Sequence, residues 1–176
     1  MGGYCLQGQP DKANELLDLM AGEGLKPDRV SYAVIIDGYC KNKKVDRAWE
    51  IFEGMRHKGL KPDVCVYSIM IQGLFCVGRS EDALKLFDDM KTVGLVANSY
   101  TYCIVLDGLL NNGRIDDATL FYYEVMDYHT HPTIANSTLV ELTSRLDFFK
   151  ERRSQLMEQL HNLDLNYGTT AQEFHY

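Results

Sequence analysis

The chain has 176 residues, 45% of them hydrophobic and 24% charged, with a formal net charge of −7. That is apolar material enough for one compact unit, without any apolar run of roughly 18 or more residues that would span a membrane. The acidic balance excludes a uniformly basic nucleic-acid binder but not a local basic groove, because a polyanion responds to the charges on one face.

Two stretches read almost alike, Gly24-Leu25-Lys26-Pro27-Asp28 and Gly59-Leu60-Lys61-Pro62-Asp63, and they lie 35 residues apart. The same offset carries Ala13 onto Ala48, Ala83 and Ala118, Gly3 onto Gly38, Gly73 and Gly108, and Tyr32 onto Tyr67 and Tyr102. Several columns agreeing in one register identify a repeat array. Residues 1–28 form a partial repeat in which Met1 aligns with Ile36, so the chain begins inside a unit and a longer array is expected upstream. Met1 to Cys5 carry neither a basic region nor an apolar signal core, and no targeting peptide is visible.

The unit 29–63 places Tyr32, Ile35, Ile36 and Tyr39 at the spacing of one helix face, and Ala48, Ile51, Phe52 and Met55 at a second. Lys41-Asn42-Lys43-Lys44 between them predicts a short turn, so the unit is a helical hairpin. Unit 64–98 repeats this with Tyr67, Met70, Ile71 and Leu74, a turn at Cys76 to Arg79, then Ala83, Leu86, Phe87 and Met90. Unit 99–133 follows with Tyr102, Val105, Leu106 and Leu109, a turn at Asn111-Asn112-Gly113, then Ala118, Phe121, Tyr122 and Val125. Gly24, Gly59 and Gly94 are expected to stop the second helix of each unit, with Pro27, Pro62 and Pro132 beyond to prevent continuation. The alanine column supplies the small side chain at which two helices cross.

Residues 134–168 read as a degenerate capping repeat: Ser137, Thr143 and Arg153 occupy the tyrosine, glycine and alanine columns. Helical patterning persists there in Leu139, Leu142 and Leu146, then Leu156 and Leu160, beside the charged run Lys150 to Arg153. The tail, 169–176, continues a stretch from Asn166 that lacks periodicity. Because a lone hairpin cannot cover its own apolar faces, the expected fold is all-α, a right-handed α-solenoid of antiparallel helical hairpins with a 35-residue period.

Chemistry that requires converging side chains is missing from the sequence. The five cysteines, Cys5, Cys40, Cys65, Cys76 and Cys103, form no CxxC pair and read as reduced thiols acting as small buried hydrophobes. His129 and His131 share a repeat-end turn without a third ligand, and are read as ordinary loop residues rather than a metal site. Asp88-Asp89 and Asp116-Asp117 read as solvent-facing acidic pairs. With no Walker or dinucleotide motif either, neither an enzyme, a cofactor nor a small-molecule substrate is expected.

A 35-residue hairpin with Tyr near its start, Asp-Gly-Tyr-Cys-Lys in its first helix, Ala in its second and Met-x-x-x-Gly-Leu-x-Pro-Asp at its end resembles the pentatricopeptide repeat. Residues 1–133 carry the match; uniform spacing is similar to the pure, P-type subclass, and the style of the repeats to plant fertility-restorer-like members. The resemblance implies binding of single-stranded RNA, one base per repeat, in organelle RNA processing, stability or translation. The organelle implied is the mitochondrion, with the chloroplast as the alternative.

In that family the fifth and last residues of a unit read the base, which here are Ala33 with Asp63, Ser68 with Asn98, and Cys103 with Thr133. Ser68 with Asn98 is the combination similar to the family's adenine readers. The second residue packs on base faces, implying Val30, Cys65, Tyr100 and Ala135, with Tyr100 able to stack. Lys41 stands where the family directs a basic side chain at the phosphates, although Lys41, Lys43 and Lys44 read equally as a solvated turn. The alternative function is a protein-binding helical-repeat scaffold without RNA activity, toward which the acidic balance and the incomplete reading pairs point.

Overall fold

In the computed structural model, residues 2–127, 140, 142–152, 154, 155 and 158 are described. The expectations placed on His129, His131, Pro132, Thr133, Ala135, Leu139, Leu156, Leu160 and the tail lie outside those residues. The elements are α1 (Gly2–Leu6), α2 (Pro10–Gly22), α3 (Arg29–Lys41), α4 (Val45–His57), α5 (Val64–Cys76), α6 (Ser80–Thr92), α7 (Ser99–Asn111) and α8 (Ile115–Asp127), with helical backbone again over 142–152. The described part is an all-helical solenoid in which α3, α5 and α7 begin 35 residues apart, as do α2, α4, α6 and α8. No described helix is long and apolar enough to cross a membrane.

Local chemistry explains the boundaries. The first helices α3, α5 and α7 each open on a cap from the end of the preceding unit. Asp28 Oδ1 accepts from Ser31 N at 2.8 Å, Asp63 Oδ1 from Val66 N at 3.0 Å, and Asn98 Oδ1 from Thr101 N at 2.9 Å. Caps of this kind contribute about 1 kcal/mol each. The second helices α2, α4 and α6 end where Gly24, Gly59 and Gly94 turn left-handed, at φ 77°, 76° and 83°. The amide beyond then closes back on the helix, as Leu60 N does on Met55 O at 3.1 Å. The same closure ends the first helices, through Lys44 N, Arg79 N and Arg114 N. Its left-handed residue is Gly78 or Gly113 in two units but Lys43, at φ 59°, in the third.

The glycine column reveals how units stack. A Cβ built on Gly38 would lie 2.5 Å from Cys5 Sγ; one on Gly73 would lie 2.4 Å from Cys40 Sγ; one on Gly108 would lie 2.3 Å from Phe75 Cγ. Consecutive first helices, α1, α3, α5 and α7, therefore press together where only hydrogen fits. The second helices pack on the first helices flanking them, and no two described second helices approach at the backbone; they meet only through side chains, as Phe87 does Phe121 and Arg56 does Asp89. The layer whose members approach most closely is the inner one, so the first helices line the concave side. Between the layers Ala13, Ala48, Ala83 and Ala118 are fully buried, alongside Phe52, Met55, Met70, Met90 and Leu106.

Polar columns reinforce the stacking. Lys44 meets Asp11 at 2.7 Å, Arg79 meets Asp46 at 2.7 Å and Arg114 meets Glu81 at 2.5 Å, forming a ladder of ion pairs that links each unit to the one before. Such exposed pairs contribute about 0–1 kcal/mol each, and their effect is on register. Asp89 was expected to face solvent, but it accepts a hydrogen bond from Tyr67 Oη at 2.8 Å. The tyrosine at the equivalent place, Tyr32, finds Gly54 opposite, and its buried hydroxyl has no partner. Beyond α8, Leu142 and Leu146 are buried, Thr143 Oγ1 meets Tyr122 Oη at 2.7 Å, and the run from Lys150 to Arg152 is exposed.

Candidate functional site

The concave side carries four columns of side chains, one from each successive turn of the first helices. The outermost holds Val30, Cys65 and Tyr100, all exposed, with Tyr100 at 60%. The next holds Ala33, Ser68 and Cys103; then come Asp37, Gln72 and Asp107, and finally Lys41, Cys76 and Asn111. Between neighbouring first helices these columns enclose depressions. One of about 440 Å³ between α1 and α3 is lined by Cys5, Leu6, Asp37, Lys41 and Asn42. Another of about 410 Å³ between α5 and α7 is lined by Gln72, Cys76, Tyr100, Cys103, Asp107 and Arg145. The second lies two repeats along from the first, and Tyr100 gives it an exposed aromatic edge.

Its electrostatics are compensated rather than basic. Lys41 is the last residue of α3 instead of a turn residue, and its Nζ donates to Asp37 Oδ2 at 2.6 Å, an ion pair that raises the lysine pKa. Arg145 is paired with Asp107 in the same way. Arg145 was not singled out in the sequence, because it falls in the degenerate unit where column alignment is weakest. The cysteines divide. Cys40 is buried, with its thiol pushed up to about 12 by burial, whereas Cys65 and Cys76 face the groove and are exposed. The expectation of buried thiols therefore fails for those two, because the groove side of α5 has no neighbouring layer over it. Among the described residues no three His, Cys, Asp or Glu side chains converge as metal ligands.

The residues expected to read bases are placed unequally. Asp63 and Asn98 are the helix caps described above, so the last column of each unit has a structural duty of its own. Asp63 turns its second oxygen outward, where Arg29 Nη1 donates to it at 3.3 Å. Asn98 is exposed, and no described residue accepts from its Nδ2. Ser68, by contrast, is 1% exposed and its Oγ lies 2.9 Å from Thr101 Oγ1, which itself donates to Asn98 Oδ1 at 3.0 Å. The structure thus brings Ser68 and Asn98 together through Thr101, and of the two only Asn98 is exposed. Ala33 and Cys103 are half-buried on the same face, while Thr133 and Ala135 lie outside the described residues.

Capped helical hairpins stacked at a fixed period, with polar side chains projecting from one layer into a continuous groove, define a helical-repeat binding scaffold. The PPR repeat family profile matches residues 1–40, 27–76 and 65–111, and the PPR repeat profile matches 100–128. The chain belongs to the pentatricopeptide repeat family. Its backbone superposes on the maize pentatricopeptide repeat protein PPR10 with a TM-score of 0.63 at 23% identity, over 80% of this chain and 19% of that one. PPR10 in complex with an 18-nt psaJ RNA element gives 0.66 at 21% identity, over the same shares. The PPR domain of Arabidopsis thaliana protein-only RNase P 1, in complex with tRNA, gives 0.59 at 18% identity, over 91% of this chain and 84% of that one. In sequence, 56 residues are 62% identical to Rho GTPase-activating protein 6 of Arabidopsis thaliana, covering 31% of this chain. A further match, 46 residues at 74% identity, is to Rho GTPase-activating protein 7 of the same plant and covers 25% of this chain. The chain spans only 7% and 5% of the length of those two relatives.

Proposed function

We propose that this chain binds single-stranded RNA along the concave layer of α3, α5 and α7, as a scaffold without catalytic chemistry of its own. The observation that carries the reading is the exposed Asn98 amide capping α7 two residues before the exposed Tyr100 ring that edges the groove: a hydrogen-bonding group for a base edge near a face for a base to stack on. Membership of the repeat family and the likeness of the fold to PPR10 in its RNA complex support it. Adenine is the base proposed at Asn98, because the outward amide donates and the adenine ring nitrogen N1 accepts. The target class is an organelle transcript, mitochondrial or, alternatively, chloroplast, and the likeness of these repeats to restorer-like members supports that assignment alone.

Because Lys41 and Arg145 are neutralised within the protein, phosphate contacts contribute little. Stacking on Tyr100 contributes about 1–3 kcal/mol, so affinity falls in the roughly 0.1 mM to 1 μM range of weak binding. A fluorescence titration at low salt tests this. Adenine-containing single strands should bind saturably and Tyr100→Ala should weaken binding by about 5- to 150-fold, the equivalent of that stacking contribution. Absence of saturable binding, or a Tyr100→Ala variant with unaltered affinity, would remove the basis of the reading.

A second reading, a protein-binding scaffold, is favoured by α8. Leu120 and Tyr123 are 65% and 56% exposed there, where the other units carry Glu15, Glu50 and Lys85, and Asp18, Glu53 and Asp88. A pull-down that ribonuclease leaves intact would support that surface over the groove.

A further inference from the structure

The directions of the hydrogen bonds around Asn98 add a step that pairwise reading of residues omits. The backbone N–H of Thr101 can only donate, so the Asn98 atom it meets at 2.9 Å is the oxygen, and the amide nitrogen must point away. The Thr101 hydroxyl, in a residue with no solvent exposure, spends its one proton on the same oxygen at 3.0 Å. Ser68 Oγ, 2.9 Å from Thr101 Oγ1, is then the donor of that contact. A directed chain runs from Ser68 through Thr101 to Asn98 Oδ1, crossing from α5 to the cap of α7. The equivalent set one unit earlier lacks it, with Ala33 where Ser68 stands and Val66 where Thr101 does; two units earlier the last link alone is present, Ser31 Oγ donating to Asp28 Oδ1 at 2.7 Å.

We propose that Thr101 is a positioning residue for the Asn98 amide, and that Ser68 acts on the base-facing group through Thr101 instead of touching a base itself. The proposal rests on the RNA-binding reading for its consequence in base preference, and on the hydrogen-bond chain for its consequence in the free protein. In the free protein the chain holds the Asn98 side chain in one rotamer with its donor outward. In the complex it makes Asn98 a donor toward an acceptor-bearing base edge and prevents the flip that would present its oxygen. Thr101→Val keeps the shape and the capping N–H but removes the relay; Thr101→Ser keeps the hydroxyl.

The test has two arms, on wild type, Ser68→Ala, Thr101→Val, Thr101→Ser and the Ser68→Ala/Thr101→Val double variant. The first follows the Asn98 side-chain amide by NMR without RNA. It should be ordered in wild type and Thr101→Ser, and become mobile in Thr101→Val and Ser68→Ala; unchanged order in Thr101→Val overturns the proposal whether or not RNA binds. The second titrates single strands that differ only by adenine or guanine at one site. Wild type should prefer adenine by roughly tenfold, a modest share of the discrimination one good base contact gives, and Thr101→Val and Ser68→Ala should each reduce this to within about twofold. Ser68→Ala should add nothing in the Thr101→Val background. If the two losses multiply, Ser68 touches the base directly and the proposal fails. If wild type binds neither strand while the NMR arm behaves as stated, the RNA reading fails and the positioning role of Thr101 stands.

Discussion

Gly108→Ala and Gly54→Ala are the same chemical change in helices of equal length, and the packing assigns them opposite signs. Replacing glycine by alanine inside a helix gains about 1 kcal/mol from backbone entropy and propensity. At Gly54 a Cβ would have no heavy atom within 4 Å, so the whole of that gain should appear. At Gly108 the Cβ would lie 2.3, 2.4 and 2.7 Å from three ring carbons of Phe75, a side chain only 5% exposed at the contact of α5 with α7. The ring cannot move aside without opening space elsewhere in the stack, and overpacking of this kind costs about 1–3 kcal/mol. With the clash at the upper end of that range, the net destabilisation is about 2 kcal/mol. Thermal unfolding followed by circular dichroism reads this as a midpoint lowered by about 4–8 °C for a chain of this size, against a rise of about 2–4 °C for Gly54→Ala. In a Phe75→Ala background the Gly108→Ala change should lose its penalty and become stabilising, which identifies the ring as the cause. A Gly108→Ala variant that melts higher than wild type would refute the account of how first helices meet.

Three further outcomes follow from particular side chains. Gly54→Asp should stabilise by about 1–2 kcal/mol in chemical denaturation, because it gives the buried Tyr32 hydroxyl the partner that Asp89 gives Tyr67, with a hydrogen bond to a charged group and the removal of a helical glycine both contributing. Lys43→Gly should stabilise by up to about 1 kcal/mol, since Lys43 alone holds the left-handed position that glycine fills in the equivalent turns. Stability should decline in alkali. Tyr39 and Tyr67 are pushed up to about 12, by burial and then by the neighbouring carboxylates Asp11 and Asp89, and burial holds the Cys40 thiol up to about 12 as well. These groups stay protonated in the fold while the unfolded chain releases protons from the ordinary values of 9.0 and 10.0 upward. Their contribution is therefore complete below about pH 9 and is lost as pH rises toward 12; denaturation midpoints measured across that window should fall steadily.

Much of the fold was legible because a repeat states its punctuation several times over. Gly24, Gly59 and Gly94 after an apolar face each predict a boundary on local grounds, and all three act as boundaries; that Asp28, Asp63 and Asn98 cap the helices that follow is visible only in the structure. The glycine column inside the first helices was visible as a column but its reason was not, because nothing local says that Gly73 must lie against Cys40 of the preceding unit. The ion-pair ladder was hidden in the same way, its partners standing 33 residues apart across a unit boundary. The site was legible in outline only. Tyr100 lines the groove and Asn98 is exposed two residues before it, but a serine in a helix reads as polar and outward, and only the meeting of α5 with α7 reveals that Ser68 is covered and satisfied by Thr101. Likewise Lys41 reads as a basic residue awaiting phosphate until its bond to Asp37, one turn earlier, is seen.

The central claim is that nucleic acid occupies the layer of first helices. Photo-crosslinking of a uridine-analogue-labelled, adenine-containing single strand, followed by mass spectrometry of the joined peptides, tests it most directly. The account predicts that crosslinks fall within α5 and α7, with the peptide bearing Tyr100 foremost, and that competing unlabelled strand removes them. Crosslinks confined to α4, α6 or α8, or distributed without preference over both layers, would contradict it.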